Sequence, residues 1–315
     1  MIGARFLRRW RGNYYLSNVL AAFANPLYRA SRGLSLEIQK KVKKNSAAIL
    51  LPNGRTLQFA RDAGVDMSSL LFWKGLDGFE PSTSRTLRFF FERSVTFVDV
   101  GANYGYYSLL GALWNPALEV ASFEPVPQIY EGLARNIVFN GISDRVTAYQ
   151  MALSNRTGKA TFFLPPSEGS DYESTGTLVA DGWQSRKQSP SFQVEAMRFD
   201  DFRRLHPMHV DIVKIDVEDF EASVLQGMAE TIARDRPFII CEILPREHKN
   251  QETKEIVEQL GYTAYWIASS ESYVRVSGFD FRRTVSTDFL LSPVSVPGEV
   301  VTDLEPLWAK RKRNW

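Results

Sequence analysis

Two acids and a pair of glycines set the chemistry open to this chain. In Phe97-Val98-Asp99-Val100-Gly101-Ala102-Asn103-Tyr104-Gly105, a β-branched and apolar run breaks into a glycine turn and then a helical pattern. Glycine lets the backbone approach a ligand, and the first N–H groups of the following helix are free to receive it. The spacing is G-x-x-x-G and not the G-x-G-x-x-G that cradles a dinucleotide pyrophosphate. A nicotinamide-dependent oxidoreductase therefore remains only as an alternative. Glu124 closes the next apolar run, about 20 residues past the glycines, where an acid accepts hydrogen bonds from both hydroxyls of a ribose. Asp99 lies inside the first run, a costly place for a carboxylate without a cation or fixed donors. The sulfonium and ammonium of S-adenosylmethionine (SAM) would supply the cation, and backbone N–H groups of the turn would supply the donors.

The second chemical stretch is Val210-Asp211-Ile212-Val213-Lys214-Ile215-Asp216-Val217-Glu218. A period of two turns Lys214, Asp216 and Glu218 to one face at the carboxyl end of a buried strand. A carboxylate at such a strand end can take a proton from a bound acceptor. Asp216, Glu218, Glu242 and His248, in that order, are the candidate bases. The plain alternative is a structural ion pair between Lys214 and a carboxylate. We assign no metal, since the single Cys241 and the scattered His206, His209 and His248 make no ligand set. Cys241 reads as a small core residue.

These groups need a frame. Val95–Val100, Leu118–Pro125 and Arg145–Gln150 read as strands around two helical stretches, the second at Pro127–Asn140. After a Ser-, Gly- and Pro-rich stretch at 165–191, read as a long loop, come the strand Phe192–Met197, the helix Phe199–Leu205 and the strand at 210–218. A helix over Phe220–Ala233, the strand Pro237–Leu244, a helix over Gln251–Leu260 and strands at 263–268 and 286–293 complete it. Strands alternating with helices predict a doubly wound α/β fold with a mostly parallel sheet covered on both faces. Residues 1–90 read as an N-terminal extension with short strands at 47–51 and 56–60, residues 91–293 as the ligand-binding domain and residues 294–315 as a basic tail.

The chain resembles the FkbM family of SAM-dependent methyltransferases, within the class I Rossmann-like group. The resemblance rests on DVGANYGYYS (99–108), FEPVP (123–127), LARNIVFNG (133–141), MALSNRTG (151–158) and especially VDIVKIDVEDFEASVLQG (210–227). It implies SAM as cofactor, held by Asp99, Gly101, Ala102, Asn103, Gly105, Glu124, Met151 and Ala152. It also implies O-methylation of a sugar, glycan-linked or other small-molecule acceptor. The family usually has Glu-Gly where this chain has Glu218-Asp219, a departure that would alter a turn beside the site. A catalytically silent domain of the same fold, binding SAM or a partner without reaction, is the non-enzymatic alternative.

With 44% hydrophobic and 23% charged residues, the composition is that of a globular protein, and one cysteine fits a reducing, cytoplasmic setting. No apolar run reaches the roughly 20 residues of a membrane span. Charge is divided unevenly: residues 1–44 carry ten Lys/Arg and one Glu, and residues 309–315 carry four Lys/Arg and no acid, against a net of +2 for the chain. Both ends are positive and the body is negative. A basic arm with Leu16, Val19, Leu20 and Phe23 on one helical face can lie on an anionic membrane surface. That is the peripheral membrane association expected here, beside the plainer reading of a solvated arm. The short basic-aromatic tail is too little to call for a nucleic-acid partner.

Overall fold

The computed structural model describes residues 46–61, 63–163, 178, 191–244, 247–276 and 287–313. The basic arm and nearly all of the 165–191 stretch lie outside them. The chain enters through a hairpin, β1 (Ala47–Leu50) and β2 (Thr56–Phe59), turned at Pro52-Asn53-Gly54 with Gly54 at φ 81°. Helices α1 (Val65–Lys74) and α2 (Pro81–Phe91) follow, α2 beginning on a proline whose missing N–H would have no helical partner there. Next come β3 (Thr96–Val100), α3 (Tyr106–Trp114), β4 (Glu119–Phe123), α4 (Pro127–Phe139) and β5 (Val146–Tyr149). A small sheet of β6 (Ala152–Leu153), β7 (Gly158–Phe163) and β8 (Ser191–Met197) stands apart, with β8 in its centre.

The second half runs α5 (Phe199–Leu205), β9 (Ile212–Ile215), α6 (Glu221–Gly227), α7 (Ala229–Asp235), β10 (Phe238–Glu242) and α8 (Glu247–Gln259). It ends with β11 (Thr263–Ser269), β12 (Ser272–Arg275), β13 (Asp288–Ser292), β14 (Val300–Val301) and α9 (Glu305–Arg313). The main sheet has nine strands in the order β14-β12-β11-β13-β10-β9-β3-β4-β5. From β10 to β5 every neighbour is parallel, as the alternation of strands and helices predicts. Beyond β10, the strands β13, β11, β12 and β14 join antiparallel, and a tight return links β11 to β12.

Both faces of the sheet are covered. Phe97, Ile212, Phe238, Ile240 and Leu290 face one buried cluster with Leu109 and Leu110 of α3, Phe90 and Phe91 of α2 and Leu57 and Phe59 of β2. Val98, Val213, Ile215, Ile239 and Cys241 face the other, against α5 to α8. The alternation carries a consequence for the polar residues. Asp99, Lys214, Glu242 and Asp288 stand two residues from members of the first face, so all four project to the side of α2 and α3.

Three boundaries differ from the sequence reading. The segment taken as an extension ends inside α2, and its β2, α1 and α2 bury Leu57, Phe59, Leu71, Leu87 and Phe90 in the main core. The C-terminal stretch read as a basic tail is part of the packed domain: α9 packs Leu307 and Trp308 on Phe238 and Phe90. Arg311 there caps the Asp235 and Arg236 carbonyls at 3.0 and 2.8 Å and faces Asp211 at 3.5 Å. The helix expected over 220–233 is two, parted at Met228 (φ −109°, ψ 5°).

Candidate functional site

The strand order reverses between β9 and β3: the chain moves outward from β3 to β4 and β5 on one side and from β9 to β10 on the other. Ligands of open α/β sheets bind at the carboxyl ends of the strands beside such a reversal. The glycine turn stands there. Gly101 and Gly105 take φ of 78° and 92°, which glycine adopts without strain, and Asn103 takes 51°. The Gly101 and Ala102 N–H groups both donate to the Phe123 carbonyl at 3.0 Å, which ties the turn to the end of β4. Across the reversal, Asp216 N–H donates to the Val100 carbonyl at 3.0 Å. Turn and acid strand are thus fastened directly to each other.

Glu124 follows β4 as expected, 5% exposed. Its Oε2 accepts the Asn103 N–H and its Oε1 the Val126 N–H, each at 2.9 Å. A carboxylate has about four acceptor positions, so two remain for hydroxyl donors. Burial pushes its carboxyl up to about 7, and the two backbone N–H groups only partly offset that. Met151 and Ala152 lie just past β5, beside this acid: Glu124 N–H and Met151 N–H both donate to the Tyr149 carbonyl, at 3.1 and 3.0 Å.

Asp99 is buried in β3, and its Oδ2 accepts from Ser108 Oγ at 2.5 Å; Ser108 Oγ in turn meets Ser122 Oγ at 2.7 Å. Burial raises the Asp99 carboxyl to about 6, against the pull of Ser108 and Lys214. The ladder sets Asp99 opposite Lys214 and Ser122.

Lys214 centres the acids. Its side chain is 2% exposed, its Nζ donates to Asp216 Oδ2 at 2.7 Å, and it lies 4.9 Å from the Tyr107 ring centre. Burial alone would lower its affinity for a proton, but Asp216, Glu80 and Asp288 outweigh that and hold it charged. Asp216 hydrogen-bonds Glu242, which accepts from Thr287 Oγ1 at 2.8 Å. Burial and the neighbouring Asp216 raise Glu242 to about 10, so it is the protonated partner. Burial works against ionised Asp216 too, yet Lys214 and the Glu242 proton lower it. The pair therefore carries one proton and one negative charge at neutral pH. The Asp216 side chain is 27% exposed, against 2% for Lys214.

The strand alternation stops at Ile215, so Glu218 is not aligned with Asp216 by period, as the sequence suggests. It joins the acids by a turn: Glu218 and Asp219 take φ of 51° and 76°. Asp219 thus takes the left-handed backbone that favours glycine, at the position where the family usually has one. One oxygen each of Asp216, Glu218 and Glu242 lies within 4.8 Å of the others, close enough for a cation. Lys214, Thr287 and the Asp216–Glu242 hydrogen bond already engage two of the three, so we assign them no role as metal ligands. His248 falls on α8, but its side chain is outside the described residues.

Tyr107, inside the 99–108 motif, and Glu80 and Asp288, outside any motif, complete the site. Tyr107 Oη donates to Glu80 Oε2 at 2.6 Å, and Thr83 Oγ1 donates to Asp288 Oδ2 at 2.5 Å. Burial raises Glu80 to about 7 and moves Asp288 up as well.

The chain is similar to known methyltransferases. A methyltransferase from Sordaria araneosa, sdnD, is 30% identical over 155 residues, covering 42% of this chain and 60% of that one. The 2-O-methyltransferase NoeI of Sinorhizobium fredii is 26% identical over 160 residues, 48% of this chain and 63% of that one. The chain thus spans less than two thirds of either relative. The crystal structure of a methyltransferase FkbM from Methylobacillus flagellatus overlaps 74% of this chain and 56% of its own, with 15% identity and a TM-score of 0.41. Residues 99–264, more than half of the chain and bounded at the front by Asp99, match the Methyltransferase FkbM domain, and the protein belongs to that family.

Proposed function

We propose that the protein transfers a methyl group from SAM to a hydroxyl oxygen of a sugar, glycan-linked or other small-molecule acceptor. The observation that carries this reading is the meeting, at the strand-order reversal, of the glycine turn with the Lys214–Asp216–Glu242 group. The donor and acceptor set fits SAM. Glu124 keeps acceptor positions for the two ribose hydroxyls, and Asp99, two residues before Gly101, suits a cationic head. Gly101, Ala102, Asn103 and Gly105 form the turn that would bear the amino-acid end, with Met151 and Ala152 alongside Glu124. When bound, SAM supplies an electrophilic methyl group.

The chain's own part is alignment and proton removal. Asp216 takes the proton of the acceptor hydroxyl as the carbon–oxygen bond forms, a transfer that concerted base catalysis makes worth ~10²–10⁴ in rate. Lys214 holds Asp216 in place, and protonated Glu242 fixes its second contact. NoeI, a 2-O-methyltransferase, is consistent with an oxygen acceptor. The basic residues of 1–44 suit an acceptor held at an anionic membrane, and co-sedimentation with anionic but not neutral vesicles tests that part alone. Among the described residues, no helix is long and apolar enough to cross a membrane.

The decisive experiment incubates purified protein with methyl-labelled SAM and a glycan and lipid-linked extract. Label should pass to an ether oxygen of an acceptor, and Asp216→Asn should slow the transfer by at least tenfold without changing SAM affinity. Tight NAD binding with no SAM binding would overturn the methyltransferase reading.

A further inference from the structure

Asp99 is placed where a change of ligand charge must be felt. It is 2% exposed, on the strand that leads into the glycine turn. The groups that face it come from every neighbouring element: Ser108 on α3, Ser122 on β4, Lys214 on β9, Asp216 just beyond β9 and Glu124 just beyond β4. Lys214 is the one cation among these, and it is already engaged by Asp216 at 2.7 Å and by the nearby Glu80 and Asp288. Among the described residues, the buried carboxyl groups around Asp99 therefore outnumber the one lysine that faces them. A buried carboxyl without a counter-charge keeps its proton.

SAM and its product, S-adenosylhomocysteine, share the adenosine and the amino-acid end. They differ by one methyl group and one positive charge on sulfur. Contacts to the ribose cannot tell them apart, but an acid able to ionise beside that charge can. Resting on the proposed function, we propose that Asp99 distinguishes the charged methyl donor from its uncharged product: the donor's sulfonium drives the Asp99 O–H proton into solvent, and the product leaves Asp99 protonated. The balance is simple. One carboxylic acid becomes one carboxylate, one proton goes to the buffer, and the site's net charge is unchanged after the cation enters. The Ser108 hydroxyl is poised to donate to the carboxylate so formed. The consequence is product release: above the pH at which Asp99 ionises, the site favours the donor, and below it donor and product compete on more equal terms. The location of Asp99 near 6 agrees with a switch at the lower edge of the physiological range.

The test is calorimetry on the full chain with SAM and with S-adenosylhomocysteine between pH 5 and 7, where both ligands keep an α-ammonium group. Each pH is run in two buffers of different ionisation enthalpy, so that protons released are counted. SAM should release up to about one proton more than the product. The ratio of the two dissociation constants should rise in favour of SAM by up to ~tenfold per pH unit below the midpoint and level off above it. Ser108→Ala removes a hydrogen bond that favours the carboxylate, so it should move the midpoint upward, and Asp99→Asn should make the ratio independent of pH. Equal proton release by both ligands, with both bound, overturns the role of Asp99 and leaves the methyltransferase reading intact. Failure of either ligand to bind overturns both.

Discussion

A β-carbon placed on Gly101 would stand 1.9 Å from the backbone carbonyl oxygen of Asp216. The turn that would bear the cofactor and the strand end that carries the proposed base Asp216 are thus in direct backbone contact. Gly101→Ala should therefore push the two apart while also forcing a side chain into a φ of 78°. We expect a loss of more than about 1 kcal/mol of stability, since alanine at positive φ costs more than its entropy returns. Thermal melting and SAM calorimetry check this, and a variant with unchanged melting and affinity would show that the contact relaxes without consequence.

Glu124 differs in kind, because it accepts two backbone hydrogen bonds that shape the turn and keeps further acceptor positions for the proposed ribose. Glu124→Ala should weaken SAM binding by roughly 1.5–3 kcal/mol, the range for hydrogen bonds to a charged group. Glu124→Gln keeps one acceptor oxygen and should lose less. Unaltered affinity in both variants would place the ribose elsewhere.

The turn after β9 offers a gain. Asp219 takes φ 76°, where a side chain is tolerated at a cost and glycine is at ease. Asp219→Gly restores the sequence usual at this point in the family and should leave Asp216 and Glu242 in place. Stability should stay level or rise by up to about 1 kcal/mol, with transfer activity preserved. A marked fall in melting temperature would mean that the Asp219 side chain holds the turn by contacts stronger than its backbone strain.

The parts of this site that a sequence discloses are those built by local pattern. The run Phe97–Gly105 and the acid at 124 follow from apolar periodicity broken by glycine, and β3, β4 and α5 fall within a residue or two of where that pattern puts them. Glu80 and Asp288 carry no local mark, because they converge with Tyr107 through sheet register and through the packing of α2 and α3. Asp288 reaches the acids only because β13 pairs antiparallel with β10, setting it opposite Glu242. Helix α2 hides for another reason: its inner face includes Thr83, Ser84 and Thr86, so the buried stripe does not read as apolar. In α9 the basic residues mask the packing of Leu307, Trp308 and Arg311, whose aliphatic and planar parts cover Phe238 while the charge finds carbonyls.

The buried acids also fix how stability varies with pH. Asp99, Glu124 and Glu80 are raised from 3.8, 4.5 and 4.5 to about 6, 7 and 7, each chiefly by burial, and Glu221 is raised from 4.5 to about 8. A carboxyl raised on folding binds its proton more tightly in the native state, so the contribution runs opposite to that of a salt-bridged acid. It is fully present below the unfolded values near 4 and is lost as pH climbs through the folded ones, between about 4 and 8. The ligand-free protein should accordingly melt at a lower temperature at pH 8 than at pH 6, by a few degrees for each kcal/mol lost. Asp99→Asn and Glu124→Gln, which remove titrating groups while keeping their shape, should each flatten the slope. SAM, by stabilising ionised Asp99, should restore part of the loss at pH 8 and little at pH 5. Melting temperatures that rise steadily from pH 6 to 8 in the ligand-free protein would show that these carboxyls are ionised and balanced without any ligand.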